Sequence, residues 1–255
     1  MTNIALTLSY DGTDFCGWQR QDKMPQLRTV QGKLEEALEK MLRTHVDVQG
    51  SGRTDSGVHA KAQVCNFISP IDSVPVQNYV KALNGLLPKD IRVSRAEIMD
   101  RGFSSRFNAT SRIYHYFMQT INPPLAHQSR YVWYLSHRPD VDLLNSYVKD
   151  FHGETDCKTF AAAGDQSLST CRYIDNARFW YEDDVLVFEI EANAFLWKMV
   201  RSITGTLIGL EKSKSPSDSF MKIVKSCERS NAGVTAPPDG LFLWDVKFNG
   251  IRRHL

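Results

Sequence analysis

The sequence contains few cysteines, no long apolar run and no excess of one charge sign, and each of these absences excludes a class of protein. Its five cysteines lie apart in 255 residues and form no Cys-x-x-Cys pair, which argues against a disulfide framework and against a structural zinc site. No stretch approaches the length of a membrane-spanning helix. The N-terminus lacks a basic segment followed by an apolar one, so we expect no signal peptide and a cytoplasmic protein.

The net charge is only +2, but the charges are unevenly distributed. No aspartate or glutamate occurs between Arg101 and Pro139, a window that contains five arginines and three histidines. A local surplus of positive charge suits a polyanion such as a nucleic acid. Taken alone, the window is also consistent with a solvated face that acids elsewhere in the fold neutralise.

Hydrophobic periodicity in the first half predicts the order β-α-β-β-α-β, which suits a ferredoxin-like unit. The predicted elements are a strand over residues 4–10, a helix over 30–42 capped by Thr29, strands over 46–49 and near 62–68, a helix over 76–87 and a strand over 91–99. The second half repeats the theme with a strand over 111–118, helices over 141–151 and 195–210, a strand over 186–190, a helix that begins at Pro216 after Ser215, and a strand over 244–248. We place the boundary near Asn108, which gives halves of residues 1–108 and 109–255.

Residues 50–60, GSGRTDSGVHA, form the most informative stretch, because three glycines surround Arg53 and Asp55. Glycine allows a ligand to approach the backbone closely, so the segment is suited to present one carboxylate and one guanidinium in the open. A tight turn with a surface salt bridge is the alternative interpretation of this stretch.

Arg201 lies on the predicted helix over 195–210, where it would share a face with Trp197 and Lys198. A guanidinium on a largely apolar helix is seldom buried without a partner. We consider Asp55 as that partner, because an adjacent arginine favours the ionised form of a carboxylate and readies it as a nucleophile. An ordinary structural ion pair is the alternative.

Residues 101–116 interleave three arginines with four aromatic side chains, a combination that supplies phosphate contacts and faces on which bases stack. In a strand from Ser111 onward, Arg112, Tyr114 and Tyr116 would point to one face. We interpret Tyr116 as a core residue and Tyr114, beside the arginine-rich run, as a functional one.

Seven stretches, in order along the chain, resemble the TruA family of tRNA pseudouridine synthases. They are residues 10–21 (YDGTDFCGWQRQ), 29–32 (TVQG) with Glu35, 52–59 (GRTDSGVH), 87–91 (LPKDI), 106–116 (RFNATSRIYHY), 193–205 (NAFLWKMVRSITG) and 236–241 (APPDGL). The resemblance implies an α+β fold of two ferredoxin-like (RRM-like) halves that share a mostly antiparallel sheet, with helices on one side and a basic cleft between the halves. The first half would carry the catalytic aspartate loop, and the second the stacking tyrosine and the partner arginine.

The resemblance also implies roles for individual residues. Asp55 would be the catalytic aspartate, Tyr114 the tyrosine that stacks on the target base, and Arg201 the arginine that pairs with the aspartate. Contacts to RNA are expected from five basic side chains besides Tyr114: Arg53, Arg20, Arg106, Arg112 and Lys198. The expected reaction is the isomerisation of uridine to pseudouridine at positions 38, 39 and 40 of the tRNA anticodon arm, by a homodimer that needs no metal or organic cofactor and binds no membrane.

One departure from the family pattern occurs at Ser104, where relatives usually have histidine, so any RNA contact of that histidine is in doubt here. Two other functions are weighed against the synthase. A catalytically silent RNA-binding module would bind tRNA without isomerising it. A hydrolase with Asp55 as nucleophile would need a carboxylate cluster for Mg²⁺, but no second acid follows Asp55 before Asp72.

Overall fold

A computed structural model describes residues 1–24, 26–251 and 253. The chain forms two units, the first of which consists of Met1–Thr110 with Leu243–Gly250. The second consists of Ser111–Phe242 and the described residues after Gly250. Both units are mixed α+β structures whose strands pair mainly antiparallel.

The first unit contains a sheet with two helices. In chain order its elements are β1 (Thr2–Tyr10), α1 (Val30–Leu42), β2 (Gln49–Gly50), β3 (His59–Ser69), α2 (Val76–Leu86) and β4 (Ile91–Met99). Strand β1 lies between β4 and β3, and β2 pairs with β3. The predicted order of elements in this half is confirmed.

The strand predicted over residues 46–49 is largely wrong, because only Gln49 and Gly50 join the ladder. Val46 and Val48 are buried, which explains the apolar pattern. However, the backbone N–H of Val48 donates to the carboxylate of Glu35 at 3.1 Å, so it is not available to a neighbouring strand.

Helix α1 covers the residues that its sequence predicts. The Thr29 hydroxyl accepts from the backbone N–H of Gly32, which caps the first turn, and Arg43 ends the helix in the left-handed conformation. Between these ends Leu34 and Leu38, at helical spacing, are fully buried. Local signals therefore determine this helix.

The strands of the second unit pair antiparallel in the order β5-β9-β8-β7, and the short β6 pairs parallel with β5. Its strands are β5 (Ser111–Thr120), β6 (Trp133–Leu135), β7 (Gly153–Asp156), β8 (Cys171–Glu182) and β9 (Val185–Ala192). Its helices are α3 (Val141–Val148), α4 (Met199–Lys212) and α5 (Ser219–Ser226), with 3₁₀ turns at Ser129–Tyr131, Lys158–Phe160 and Arg229–Asn231. The last strand, β10 (Leu241–Lys247), contributes residues to both units.

Two predicted helix starts in this unit are wrong. Helix α4 begins at Met199 instead of residue 195, because Lys198 takes a φ of 59° and the backbone N–H of Trp197 donates to the Asp165 carboxylate. Trp197 and Lys198 therefore precede the helix that carries Arg201. Helix α5 follows Asp218 instead of Ser215, since Pro216 accepts the turn bond from Ser219 that leads into the helix.

In the described part of the chain, no helix combines the length and the apolarity that crossing a bilayer requires. The five cysteines, Cys16, Cys65, Cys157, Cys171 and Cys227, are free thiols in this structure.

Candidate active site

Asp55 lies in the loop between β2 and β3 of the first unit, and the two ends of this loop are fixed by hydrogen bonds. At the entry the Ser51 hydroxyl donates to the Gln63 side-chain carbonyl at 2.6 Å, and the Gln63 amide donates to the Gly52 carbonyl at 3.0 Å. At the exit the Val58 N–H donates to the Asp55 carbonyl at 3.2 Å. Asp55 is half-buried, so a residue on a fixed loop is still partly accessible to solvent.

Residues 11–18, which follow β1, lie along the Asp55 loop. This segment forms hydrogen bonds with residues on both sides of Asp55. The Trp18 N–H donates to the Thr54 carbonyl at 3.1 Å. The Phe15 carbonyl accepts from the Ser56 hydroxyl at 3.1 Å and from the Gly57 N–H at 3.3 Å. The residues on either side of Asp55 are therefore tied to one external segment.

Two glycines in this segment permit the close approach. A Cβ atom on Gly12 would lie 2.0 Å from the Val58 carbonyl oxygen. Gly17 takes a φ of +91°, and a Cβ atom there would lie 2.7 Å from the Thr54 carbonyl oxygen. A larger residue at either position would push the segment away from the Asp55 loop.

His59 is the last residue of the loop motif over residues 52–59, and the sequence alone indicates no role for it. It is fully buried at the start of β3, and its Nδ1 accepts from the Gly12 N–H at 3.0 Å. The ring therefore links the strand after the loop to the segment that lies against it. The signal available in the sequence was a histidine that follows a glycine-rich loop.

Arg20 and Arg53, both predicted to contact RNA, lie in different surroundings. Arg53 is exposed on the Asp55 loop. Arg20 is surrounded by acids: its guanidinium bonds to the buried Glu35, to Asp22 at 3.1 Å and, more distantly, to Asp47. The Glu35 charge is the main reason that the pKa of Arg20 is raised. The contacts of Arg20 are those of a structural ion pair.

Arg106 is exposed, and its guanidinium lies 5.2 Å from the centre of the Phe107 ring, which is itself exposed. Ser104 caps the same turn, since its hydroxyl accepts from the Phe107 N–H at 3.1 Å and donates to the Gln49 side chain. The serine at this position thus has a local structural task.

Tyr114 lies on β5 of the second unit, where its backbone is in register with Ile190 of β9. Its ring meets the Phe195 ring edge to face, with centroids 4.9 Å apart, and only 7% of the residue is exposed. Arg112, two residues earlier on the same face, donates to the Asn193 carbonyl at 2.8 Å. Tyr116 is fully buried, as predicted.

Arg201 lies in the first turn of α4 and is half-buried. Its Nε donates to the Ala236 carbonyl at 2.8 Å, and its own carbonyl accepts from the Ala236 N–H at 3.0 Å. Burial raises the pKa of Tyr116, and the charge of Arg201 opposes that rise. The guanidinium is thus fixed at one end and is the positive charge next to the buried phenol.

Lys198 lies immediately before α4, and its ammonium group lies 4.8 Å from the centre of the Trp197 ring. About half of Trp197 is exposed. The pair presents a cation and an aromatic face together on the surface of the second unit, which suits contact with nucleic acid.

Asp55, Arg53, Arg20 and Arg106 belong to the first unit, and Tyr114, Arg112, Lys198 and Arg201 belong to the second. The pairing of Asp55 with Arg201 stays a prediction. Over the ranges that the structure describes, no group of three or more His, Cys, Asp or Glu side chains is arranged to hold a metal ion. The first unit can supply a carboxylate on a fixed loop, and the second an aromatic ring and cations on regular elements.

Comparison with known proteins adds a family to this geometry. A family model described as tRNA pseudouridine synthase matches residues 7–108 and 147–249. A protein of Treponema denticola named tRNA pseudouridine synthase A is 50% identical over 248 residues, which cover 96% of this chain and 92% of the relative. Proteins of the same name from Treponema pallidum (strain Nichols) and Brachyspira hyodysenteriae are 44% and 40% identical, over 90% and 95% of this chain and 83% and 96% of theirs.

Among solved structures, a chain of a Cbf5-Nop10-Gar1 complex matches with a TM-score of 0.38 at 10% identity, over 80% of this chain and 44% of that chain. A likeness this weak carries no argument.

Proposed function

The chain belongs to the tRNA pseudouridine synthase family, and from this premise we propose that Asp55 is the catalytic group with which it isomerises uridine to pseudouridine in tRNA. The observation that supports this role most strongly is the fixed loop. Asp55 stays half-exposed while Thr54, Ser56 and Gly57 beside it are tied to one neighbouring segment. A catalytic carboxylate needs both access to the substrate and a fixed position.

The reaction breaks the N-glycosidic bond of uridine, turns the uracil and joins its C5 to the ribose, while the proton on C5 is lost and N1 gains one. The base must first leave its stack, which costs a few kcal/mol. We propose that Tyr114 stacks on the displaced base, a contact that is worth about 1–3 kcal/mol. The aromatic pair that Tyr114 forms with Phe195 would hold the ring at the required angle.

In this proposal Asp55 acts in its ionised form, as a nucleophile or as a base, on the ribose or on the uracil ring. Arg201 is the partner arginine that the family resemblance implies, and it favours the ionised carboxylate. The proposed RNA contacts come from five cations, Arg53, Arg20, Arg106, Arg112 and Lys198. Arg53 and Lys198 are the better placed, whereas Arg20 is engaged by acids.

The finer statements that the resemblance implies are part of the same proposal. We expect the modified uridines to be those at positions 38, 39 and 40 of the anticodon arm. We also expect a homodimer of chains that each contain two ferredoxin-like halves, and a reaction without metal or organic cofactor.

The test is release of tritium from tRNA labelled at C5 of its uridines, with the wild type and Asp55→Ala side by side and without added metal. Release by the wild type alone, confined to tRNAs with uridine at positions 38–40, is the expected result. Release by Asp55→Ala would refute the catalytic role of Asp55. Binding of tRNA without release by either protein would favour the RNA-binding module.

A further inference from the structure

A pair of buried hydroxyls lies directly beside the proposed catalytic residue. The Tyr10 phenol and the Thr54 hydroxyl are 2.8 Å apart, and both residues are buried. Thr54 is the residue before Asp55, and Tyr10 is the last residue of β1. The bond thus joins the strand that lies between β3 and β4 to the loop that carries the carboxylate.

We propose that Tyr10 is a positioning residue for the reaction and acts on Asp55 through Thr54. The inference rests on the proposed catalytic role of Asp55. The Thr54 carbonyl already accepts a hydrogen bond from the Trp18 N–H. The bond between the Tyr10 and Thr54 hydroxyls is therefore a second hydrogen bond that holds Thr54. With main chain and side chain both fixed, Thr54 cannot rotate without breaking one of the two bonds.

The anchor itself is rigid. Tyr10 is in register with Ile91 of β4 and with Ala60 of β3, so its backbone is held on both sides. Its ring also packs on the Trp18 ring, with centroids 6.1 Å apart. The hydroxyl of Tyr10 therefore has a fixed position from which it sets that of Thr54.

The same unit offers a matched control. The Tyr79 phenol and the Ser69 hydroxyl are also buried and also 2.8 Å apart, and the Tyr79 ring packs on Phe67. Ser69 is in register with Thr2, at the other end of β1 from Tyr10. The two tyrosines thus share burial and bond type, and only Tyr10 bonds to a neighbour of Asp55.

The experiment compares Tyr10→Phe with Tyr79→Phe in single-turnover tritium release at saturating enzyme, in tRNA affinity and in thermal unfolding. We expect Tyr10→Phe to be slower about tenfold, because small displacements of a reacting group are costly, with tRNA affinity unchanged. The two variants should lose similar thermal stability, since each loses one buried hydroxyl pair. Tyr79→Phe should turn over at the wild-type rate.

Three further variants separate positioning from a general effect on the fold. Thr54→Val should be as slow as Tyr10→Phe, and the double variant should be no slower than either, because both remove one interaction. Thr54→Ser keeps the hydroxyl and should restore the rate. If Tyr10→Phe does not fold, the rates of Thr54→Val and Thr54→Ser test the same hydrogen bond from the side of Thr54.

The inference is overturned if Tyr10→Phe and Tyr79→Phe have equal rates, or if Thr54→Val turns over as fast as Thr54→Ser. Asp55→Asn, measured in the same series, separates this failure from a failure of the proposed function. An inactive Asp55→Asn with a fully active Tyr10→Phe removes only the positioning role, whereas an active Asp55→Asn removes both.

Discussion

The proposed catalytic residues of the two units are held in different ways. Asp55 lies on a loop, and the residues beside it bond to a segment outside that loop. Tyr114 and Arg201 lie on a strand and a helix, where the ladder of β5 with β9 and the turns of α4 set the backbone. A loop residue depends on the segment that supports it, whereas a residue on a regular element depends mainly on its own element.

This difference predicts where substitutions at a distance will matter. Changes in residues 11–18 should affect catalysis through Asp55, because this segment supports its loop. Changes around β5 should act only when they remove the functional side chain itself.

Among substitutions that leave every proposed catalytic side chain in place, the largest effect should come from Gly12→Ala. The new methyl group would lie 2.0 Å from the Val58 carbonyl oxygen, so the segment must move away from the Asp55 loop. We expect turnover to fall about 100-fold, as a displacement of about 1 Å can cause. Gly52→Ala is the control within the loop, because nothing lies within 4 Å of its added methyl group. Tritium release and thermal unfolding are measured for both, and a fully active Gly12→Ala would contradict the comparison.

Tyr114→Leu should have an effect of comparable size, since it removes the ring that we propose to stack on the base. A stack worth about 1–3 kcal/mol corresponds to a loss of roughly 5- to 150-fold in kcat/KM. Tyr114→Phe keeps the ring and its edge-to-face contact with Phe195, and should stay much closer to the wild type. Equal losses in the two variants would show that the hydroxyl, and not the ring, is needed.

Arg20→Ala should act mainly on stability. It leaves the buried Glu35 carboxylate without its closest cation, a loss that is costly in a protein interior. We expect the Tm to fall by several degrees, while the salt dependence of tRNA binding changes little. A large change in that salt dependence with an unchanged Tm would instead assign Arg20 to the RNA interface.

Arg53→Ala should have the smallest effect. An exposed cation that contacts phosphate contributes about one unit to the slope of log affinity against log salt concentration. Arg95→Ala is the control, because Arg95 is exposed on β4 of the same unit and bonds to Glu97. Titrations of tRNA at several salt concentrations compare the two, and an identical slope for both variants would remove Arg53 from the interface.

The sequence predicted those elements whose signals are local. Helix α1 has its cap at Thr29 and its apolar residues at helical spacing, and both of its ends were predicted correctly. Strand β8 was missed, because polar residues near Asn176 interrupt its alternation where the register with β9 also shifts. The start of α4 depends on Asp165, which lies 32 residues before Trp197, so no local pattern could reveal it.

The candidate site divides in the same way. Asp55 could be selected because its glycine-rich surroundings are contiguous in sequence. The hydrogen bond between Tyr10 and Thr54 that supports its loop could not be predicted. The two residues are 44 positions apart, and neither residue type indicates a particular partner. Arg20 differs: its motif suggested RNA, the structure surrounds it with carboxylates, and its contact with RNA stays a prediction.

The most direct test of the central claim is single-turnover formation of pseudouridine by Asp55→Asn at enzyme concentrations that saturate tRNA. Asn has nearly the same shape as Asp, but it is neutral and has an amide NH2 in place of one carboxylate oxygen, so binding and folding should persist. Asp150→Asn, an exposed site in the second unit, controls for the change in net charge. The account predicts no pseudouridine from Asp55→Asn and a normal rate from Asp150→Asn. A normal rate from Asp55→Asn with tRNA fully bound would contradict it.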